Sequence, residues 1–259
     1  MKKRNVIYLF LFLSFTFLSG QKSFEKKEWV FKGDTLKYQI LYPQKMKDGK
    51  TYPLVLFLHG SGERGDDNEK QLTHGSELFL EEKNRSKYPA IVLFPQCPKG
   101  IMWTHRMKEK TKGGDWVFNF PLENQPTKPA FLVNQLVESL LLSGKVDKQR
   151  VYVMGLSMGG IGTLEFLARW PQKYAAANVI CGGHDPALAK KYGEIPIRFF
   201  HGDRDEVVPY KYSYGVYEVL RQLNGKTRYT LYSGVNHNSW DVAFAEPDFL
   251  KWMFKIKKK

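Results

Sequence analysis

The feature of this chain that most directly suggests chemistry is a serine placed between glycines. Ser157 lies in the motif Gly-Leu-Ser-Met-Gly at residues 155–159, after the apolar run 151–154 and before a helix-like stretch, residues 160–170. Glycines on both sides permit a tight strand-to-helix turn, and the helix directs its positive end at the hydroxyl group. The pattern predicts a nucleophile, provided that a base and an acid come from elsewhere in the chain.

Six histidines are candidates for the base that this hydroxyl needs: His59, His74, His105, His184, His201 and His237. His59 and His201 each end a predicted strand before a glycine, where an imidazole commonly caps the backbone of a turn. His237 alone follows the last predicted strand, in a polar loop downstream of Ser157. Because an ordinary imidazole can gain or lose a proton near neutral pH, His237 is predicted to be the general base.

The acid that would orient the imidazole is expected after the apolar run 197–202, which ends in a polar turn. Two aspartates, Asp203 and Asp205, lie in that turn, and their positions alone leave both open. The order serine, aspartate, histidine, each just after a predicted strand, is the order of α/β-hydrolases. Chymotrypsin-like and subtilisin-like chains use other orders, so the pattern favours an α/β-hydrolase fold.

An oxyanion that forms during such chemistry needs backbone N–H donors. The residue after the nucleophile, Met158, is predicted to supply one, and the loop after the third strand the other. That loop is the glycine-rich segment 59–65, in which Ser61 is the first choice and Gly62 the second. The segment lacks the Gly-Lys-Ser/Thr ending of a phosphate-binding loop, so we do not interpret it as one.

The hydrophobic pattern supplies the elements that this arrangement requires. Residues 28–42 alternate between apolar and polar side chains, which is typical of antiparallel edge strands. The apolar runs 53–58 and 90–94 are typical of buried central strands, and residues 67–82 between them are predicted to form a helix. Strands that alternate with helices predict an α/β fold: a mostly parallel, twisted sheet with helices on both faces.

The second half of the chain continues this alternation. Further helices are predicted at residues 131–140, 210–223 and 247–256. Residues 99–128 are polar and interrupted by glycines and prolines, and we expect this long excursion to carry substrate contacts.

The chain has 259 residues and shows no linker or repeat that would divide it. Lys2, Lys3 and Arg4 precede the apolar run 6–18, and small or polar residues follow, which is the pattern of a secretory signal peptide. The run is shorter than the roughly 20 residues of a transmembrane span. We therefore predict a signal peptide at residues 1–20, a single domain at residues 21–259, a secreted or periplasmic location, and no stable membrane insertion after cleavage.

Charge and cysteine content restrict the partners. The formal net charge is +14, and without the predicted signal peptide it is +11, since residues 1–20 carry three cations and no acid. No interleaving of aromatic and basic residues typical of nucleic-acid binding is visible, so nucleic acid is not an expected partner. Cys97 and Cys181 end different predicted strands that should not be neighbours, so both are expected to be free, buried thiols.

The motifs together resemble secreted bacterial α/β-hydrolases often labelled predicted peptidases, which are related to the phospholipase/carboxylesterase and thermostable-esterase groups. The matching segments are HGSGERG at 59–65, FPQCP at 94–98, GLSMGG at 155–160, ICGG at 180–183, HGDRDEVVP at 201–209 and HNSWD at 237–241. The resemblance implies that the acid is Asp205, the last aspartate of His-Gly-x-x-Asp. It also implies that Trp103 and Trp240 approach the substrate pocket.

These observations predict a serine carboxylic-ester hydrolase that works through an acyl-enzyme. The resemblance implies acetyl, feruloyl or other short-chain esters, including carbohydrate-linked ones, as substrates. A serine peptidase acting on short peptides is the alternative, and a non-catalytic binding protein on a hydrolase scaffold is a further one. No metal-binding motif such as HExxH or CxxC occurs, so neither a metal nor another cofactor is expected.

Overall fold

The computed structural model describes residues 23–105, 107–110, 112, 116–224 and 226–258. The predicted signal peptide lies outside these residues. Within the described ranges, no helix has both the length and the apolar character that crossing a membrane requires.

The strands form one large sheet and one small hairpin. They are β1 (Glu25–Phe31), β2 (Asp34–Leu41), β3 (Tyr52–Leu58), β4 (Ile91–Pro95), β5 (Met107–Lys110), β6 (Trp116–Asn119), β7 (Val146–Leu156), β8 (Ala176–Ile180), β9 (Ile197–Gly202) and β10 (Arg228–Tyr232). The large sheet has the order β1-β2-β4-β3-β7-β8-β9-β10, and β5 pairs with β6. Pairing from β4 to β10 is parallel, whereas β1 and β2 are antiparallel to their neighbours. The parallel strands therefore place their carboxyl ends at one edge.

Helices cover both faces of this sheet. They are α1 (Glu77–Leu80), α2 (Glu82–Lys87), α3 (Lys128–Leu142), α4 (Met158–Arg169), α5 (Lys211–Asn224), α6 (Trp240–Phe244) and α7 (Phe249–Phe254). Short 3₁₀ helices occupy Lys70–Leu72, Pro171–Lys173 and Pro186–Tyr192. The mostly parallel sheet with helices on both faces confirms the predicted architecture.

The pleat of the central strand β3 explains why two cores exist. All seven of its residues are buried. Leu54, Leu56 and Leu58 pack in the core that includes residues of α3, α4 and α5. Val55 and Phe57 pack in the opposite core, with residues of α1, α6 and α7. Because side chains alternate across a strand, a continuous apolar run can fill both faces at once.

The helix predicted at residues 67–82 is wrong for most of its length. The side chain of Asp67 accepts hydrogen bonds from the N–H groups of Glu69 and Lys70, and Asn68 has a positive φ of 54°. Gly75, at φ +81°, interrupts the chain again before α1. Aspartate and asparagine side chains compete in this way with helical backbone bonding, so the segment forms turns and short helices.

Two other segments differ from their predictions. The excursion at residues 99–128 contains the hairpin of β5 and β6. The helix predicted at residues 247–256 is shorter, as α7, and α6 precedes it without having been predicted.

The two cysteines agree with the sequence expectation. Both Cys97 and Cys181 are buried and unpaired. They follow β4 and β8, which are separated in the sheet by β3 and β7. Burial raises the pKa of the Cys97 thiol to about 12, so this group is protonated at neutral pH.

Candidate active site

The turn between β7 and α4 holds Ser157 in a strained conformation. Its φ is 52° and its ψ is −119°, a backbone geometry that L-residues rarely adopt. The Ser157 N–H donates to the carbonyl oxygen of Ile180 at 2.9 Å, which ties the turn to the neighbouring strand β8. Only 8% of the residue is exposed, so Ser157 is almost completely buried.

Glycines make this turn possible because other backbones approach it closely. A Cβ atom added to Gly159 would lie 1.8 Å from the carbonyl oxygen of Leu58. A Cβ atom added to Gly155 would lie 2.4 Å from the carbonyl oxygen of Gly159. The glycines on either side of the serine are therefore required by close packing of α4 against β3 and β7.

The substitution Gly159→Ala is expected to lower the free energy of unfolding by about 3 kcal/mol, the upper part of the usual range for overpacking. The new methyl group would collide with the backbone of Leu58, which cannot rotate away as a side chain could. Urea unfolding measures the change. Gly62→Ala is the control, since nothing lies within 4 Å of its added Cβ and its φ is not positive. Equal stability of the two variants would contradict the packing argument.

A chain of hydrogen bonds connects the three residues predicted to do chemistry. The Nε2 atom of His237 lies 2.8 Å from the Oγ atom of Ser157. The Nδ1 atom of His237 lies 2.8 Å from the Oδ2 atom of Asp205. In the tautomer that this geometry favours, Nδ1–H donates to the carboxylate and Nε2 accepts from the serine hydroxyl. The three side chains come from loops after β7, β9 and β10, as the chain order predicts.

Asp205 is held by four N–H donors. Its Oδ1 atom accepts from the N–H groups of Val207 and Val208, at 2.9 and 2.8 Å. Its Oδ2 atom faces the imidazoles of His237 and His201, at 2.8 and 3.1 Å. Burial raises the pKa of this carboxyl group, but the hydrogen bonds from the two imidazoles and from Val208 outweigh burial and hold it well below its usual value. Asp205 is therefore ionised at neutral pH.

Asp203, the other aspartate of the turn, has a structural contact instead. Its Oδ1 atom accepts from the N–H group of Gly234 at 2.7 Å. This bond joins the turn after β9 to the turn after β10. The geometry thus places Asp205, and not Asp203, against His237.

The low pKa of Asp205 links stability to pH. As pH falls below the ordinary aspartate pKa of about 3.9, the unfolded chain takes up this proton before the folded protein does, so the free energy of unfolding falls. The asparagine side chain of the Asp205→Asn variant does not titrate in this pH range. The unfolding free energy of this variant is expected to change less between about pH 5 and pH 2 than that of the unsubstituted protein. Urea titrations across this range test the difference, and parallel pH curves for the two proteins would refute the linkage.

His201 contacts the site in a way that the sequence reasoning missed. The pattern indicated only that its imidazole would cap turn backbone, and it does so at the carbonyl oxygen of Val208, 2.8 Å from Nε2. The same Nε2 atom also lies 3.1 Å from Asp205 Oδ2. The spacing of four residues in His-Gly-x-x-Asp is the signal that could have indicated this contact.

The loop after β3 lies beside the serine. A Cβ atom built on Gly60 would lie 3.7 Å from the Cβ atom of Ser157. The backbone at Ser61 is therefore close to the nucleophile, and Met158 begins α4, where the first N–H groups have no partner within the helix. Their use as oxyanion donors stays a prediction.

The buried side chains of His59 and Trp103 hold the backbone of this loop through hydrogen bonds. Burial lowers the pKa of His59 to about 4, so its imidazole is neutral at pH 7. His59 Nδ1 lies 2.6 Å from the carbonyl oxygen of Gly60, and its Nε2 accepts from the N–H group of Cys97 at 2.9 Å. The indole N–H of Trp103 donates to the carbonyl oxygen of His59 at 3.1 Å, and Trp103 is fully buried. Trp103 therefore braces the loop and offers no surface to a substrate in this structure.

Trp240, the second aromatic residue predicted near the pocket, lies at the site. Its ring packs edge-on against His237, with centroids 5.6 Å apart. It also lies 5.1 Å from the ring of His74 and is half-buried. Contact between Trp240 and a substrate stays a prediction.

One group of side chains in the described ranges has the composition of a metal site. Ligand atoms of Cys181, Asp205 and His237 lie within 4.8 Å of one another. Asp205 and His237 already bond each other, and burial raises the pKa of the Cys181 thiol far above neutral pH. The hydrogen bond between Asp205 and His237 accounts for the closeness of two of these three groups.

Comparison with known proteins places this geometry in a family. The family model described as "Phospholipase/Carboxylesterase" matches residues 45–251. A solved structure described as a thermostable esterase superposes with a TM-score of 0.79 at 32% identity, covering 91% of this chain and 63% of that chain.

Two curated relatives are more distant. The bifunctional acetylxylan esterase/xylanase XynS20E of Neocallimastix patriciarum is 26% identical over 184 residues, which cover 68% of this chain and 24% of that protein. Acyl-protein thioesterase 1 of Neurospora crassa is 24% identical over 206 residues, covering 71% of this chain and 80% of the thioesterase. The chain thus spans only part of the bifunctional enzyme and of the thermostable esterase.

The family match covers most of the chain, and the sheet order and the thermostable-esterase structure agree with it. The sheet order and the family match confirm the predicted fold, and the predicted enzyme class is the one that the family's description names. The chain belongs to the phospholipase/carboxylesterase family of α/β-hydrolases.

Proposed function

We propose that this protein is a serine carboxylic-ester hydrolase in which Ser157 is the nucleophile, His237 the general base and Asp205 the orienting acid. The observation that carries the proposal is the continuous hydrogen-bonded chain from Ser157 Oγ through both ring nitrogens of His237 to Asp205. A serine hydroxyl is a poor nucleophile by itself. It is activated by a hydrogen-bonded base that accepts its proton and that a third group holds in orientation.

The first half of the proposed reaction forms an acyl-enzyme. Ser157 Oγ attacks the ester carbonyl carbon while His237 Nε2 takes the hydroxyl proton. The carbonyl oxygen becomes an oxyanion, which the N–H groups of Ser61 and Met158 stabilise. When the bond between carbon and the alcohol oxygen breaks, His237 returns the proton to the leaving alcohol, and Asp205 stabilises the imidazolium in between.

The second half releases the acid. Water attacks the acyl carbon, and His237 takes one of its protons. The bond to Ser157 Oγ then breaks, and His237 returns the proton to the serine. No group other than these side chains and water is needed to balance the reaction.

The proposed substrates are acetyl, feruloyl and other short-chain esters, including carbohydrate-linked ones. The similarity to an acetylxylan esterase/xylanase supports an acetyl group on a carbohydrate alcohol. Trp240 beside His237 is a suitable apolar surface for the alcohol or acyl part.

A panel of substrates tests the proposal. We expect hydrolysis of p-nitrophenyl acetate and of acetylated xylan oligosaccharides, with slower turnover as the acyl chain lengthens. A feruloyl ester, an S-acyl peptide and a short chromogenic peptide test the other substrate classes. Cleavage of the chromogenic peptide at a rate similar to that of the acetate would support the peptidase alternative. Failure of a fluorophosphonate to label Ser157 would support a non-catalytic binding protein.

The location of the protein is a separate proposal. We propose that residues 1–20 direct export and are removed, because a basic start precedes an apolar run of signal-peptide length. The N-terminal residue of the protein recovered from its host tests this, and a protein that still starts at Met1 would contradict it.

A further inference from the structure

The imidazole of His201 lies directly behind the proposed acid. His201 belongs to β9, and its side chain and that of Asp205 are both fully buried. Its Nε2 atom is 3.1 Å from Asp205 Oδ2, the same oxygen that His237 Nδ1 contacts at 2.8 Å. Two imidazoles therefore share one carboxylate oxygen.

The partners of His201 decide which ring nitrogen carries the proton. Nε2 also lies 2.8 Å from the carbonyl oxygen of Val208, which can only accept, so Nε2 must be protonated. Nδ1 lies 2.7 Å from the Oγ atom of Ser213, which can donate to it. The same hydroxyl also lies 2.9 Å from the carbonyl oxygen of Tyr210, which receives the N–H groups of Ser213 and Tyr214 as well. With Nε2 protonated, Nδ1 of the neutral imidazole can only accept, so at 2.7 Å the Ser213 hydroxyl is its donor.

The network ends at Tyr229. Its hydroxyl lies 2.8 Å from Ser213 Oγ, which can accept from it once the serine donates to His201. All donors then point the same way, from Tyr229 through Ser213 and His201 to Asp205. Aligned hydrogen bonds in a buried site polarise one another, which strengthens the last bond to the carboxylate.

We propose that His201 is a positioning residue for the reaction: its Nε2–H, in a tautomer fixed by Ser213, holds the Asp205 carboxylate in the orientation that aligns His237 with Ser157. This proposal rests on the proposed function of Ser157, His237 and Asp205. The N–H groups of Val207 and Val208 hold Oδ1, and His201 holds Oδ2. Without His201, the carboxylate loses one of the bonds that fix its rotation.

The test compares two substitutions of His201 with a matched control. His201→Leu removes the donor, and His201→Gln retains an N–H near the position of Nε2. His184→Gln is the control, because His184 is equally buried and contacts a carboxylate, Glu165, that lies outside the proposed triad. The fraction of competent sites in each protein is counted by fluorophosphonate labelling, and kcat is expressed per labelled site.

We expect His201→Leu to lower kcat per labelled site roughly ten- to a hundredfold, which is the usual weight of a hydrogen bond to a charged group. KM should change little, since His201 is fully buried and cannot touch substrate. His201→Gln should recover most of the loss, and His184→Gln should keep the kcat of the unsubstituted protein. A His201→Leu kcat per site equal to that of the unsubstituted protein would overturn the proposal, as would a loss that glutamine does not recover.

Ser213→Ala provides a second test if His201→Leu does not fold. It removes the group that fixes the tautomer and leaves the imidazole in place, so a several-fold lower kcat at constant KM is expected. An unchanged kcat would overturn the role assigned to Ser213 and His201. Absence of labelling at Ser157 in the unsubstituted protein would instead refute the proposed function itself, so the two failures are distinguishable.

Discussion

Ser157→Ala is expected to remove essentially all ester hydrolysis, with kcat reduced by about six orders of magnitude, as found for nucleophile removal in triad enzymes. The methyl group cannot attack a carbonyl carbon, and the acyl-enzyme cannot form. Fluorophosphonate labelling should disappear as well. Steady-state rates with p-nitrophenyl acetate and mass spectrometry of the labelled protein measure the two effects.

The fold should survive this substitution. The only side-chain hydrogen bond described for Ser157 is the one with His237, and alanine fits the same backbone turn. The free energy of unfolding should therefore stay close to that of the unsubstituted protein. Ser143→Ala, an exposed change at the end of α3, is the control and should keep full activity. Hydrolysis by Ser157→Ala within tenfold of the control would remove Ser157 from the mechanism.

Asp205→Asn is expected to lower kcat by about four orders of magnitude, which is the effect of the corresponding change in a triad protease. The amide retains the size of the carboxylate but loses its charge, and its NH₂ group can donate toward His237 Nδ1. The His237 imidazole would then favour the tautomer in which Nε2 carries the proton. In that tautomer Nε2 cannot accept the proton of the Ser157 hydroxyl. Initial rates with p-nitrophenyl acetate under single-turnover and steady-state conditions measure the loss.

Asp203→Asn is the matched control for this substitution. Asparagine at residue 203 can still accept from the N–H group of Gly234 through its amide oxygen, so the turn should remain intact. Its kcat should lie within a few-fold of that of the unsubstituted protein. If Asp203→Asn caused the larger loss, the acid would be Asp203 and the proposed assignment would be wrong.

The parts of this structure that were predictable from sequence depend on strong periodic signals. The runs 53–58 and 90–94 are buried strands because a strand with helices on both faces must be apolar at every position. The placement of Ser157 after a strand and before a helix follows from the glycines around it. The juxtaposition of Ser157, Asp205 and His237 follows from the parallel sheet, which brings the ends of distant strands to one edge.

The parts that were not predictable depend on contacts between distant segments. Residues 67–82 have helical spacing, but the side chain of Asp67 and the packing of Gly75 against Phe57 decide their conformation. The burial of Trp103 against the loop after β3 likewise depends on a hydrogen bond across 44 residues. A single sequence carries no local signal for such contacts.

The assembly of the site from the ends of β7, β9 and β10 has a consequence for the kinetics of folding. The hydrogen bonds of the Ser157–His237–Asp205 chain join residues 80 and 32 positions apart. Closing such large loops costs entropy, and the contacts of the completed sheet offset this cost. Partly folded chains in which β10 has not paired with β9 therefore have no base beside the serine. The appearance of fluorophosphonate reactivity during renaturation would therefore report when the segment after β10 docks, whereas circular dichroism would report when the helices form.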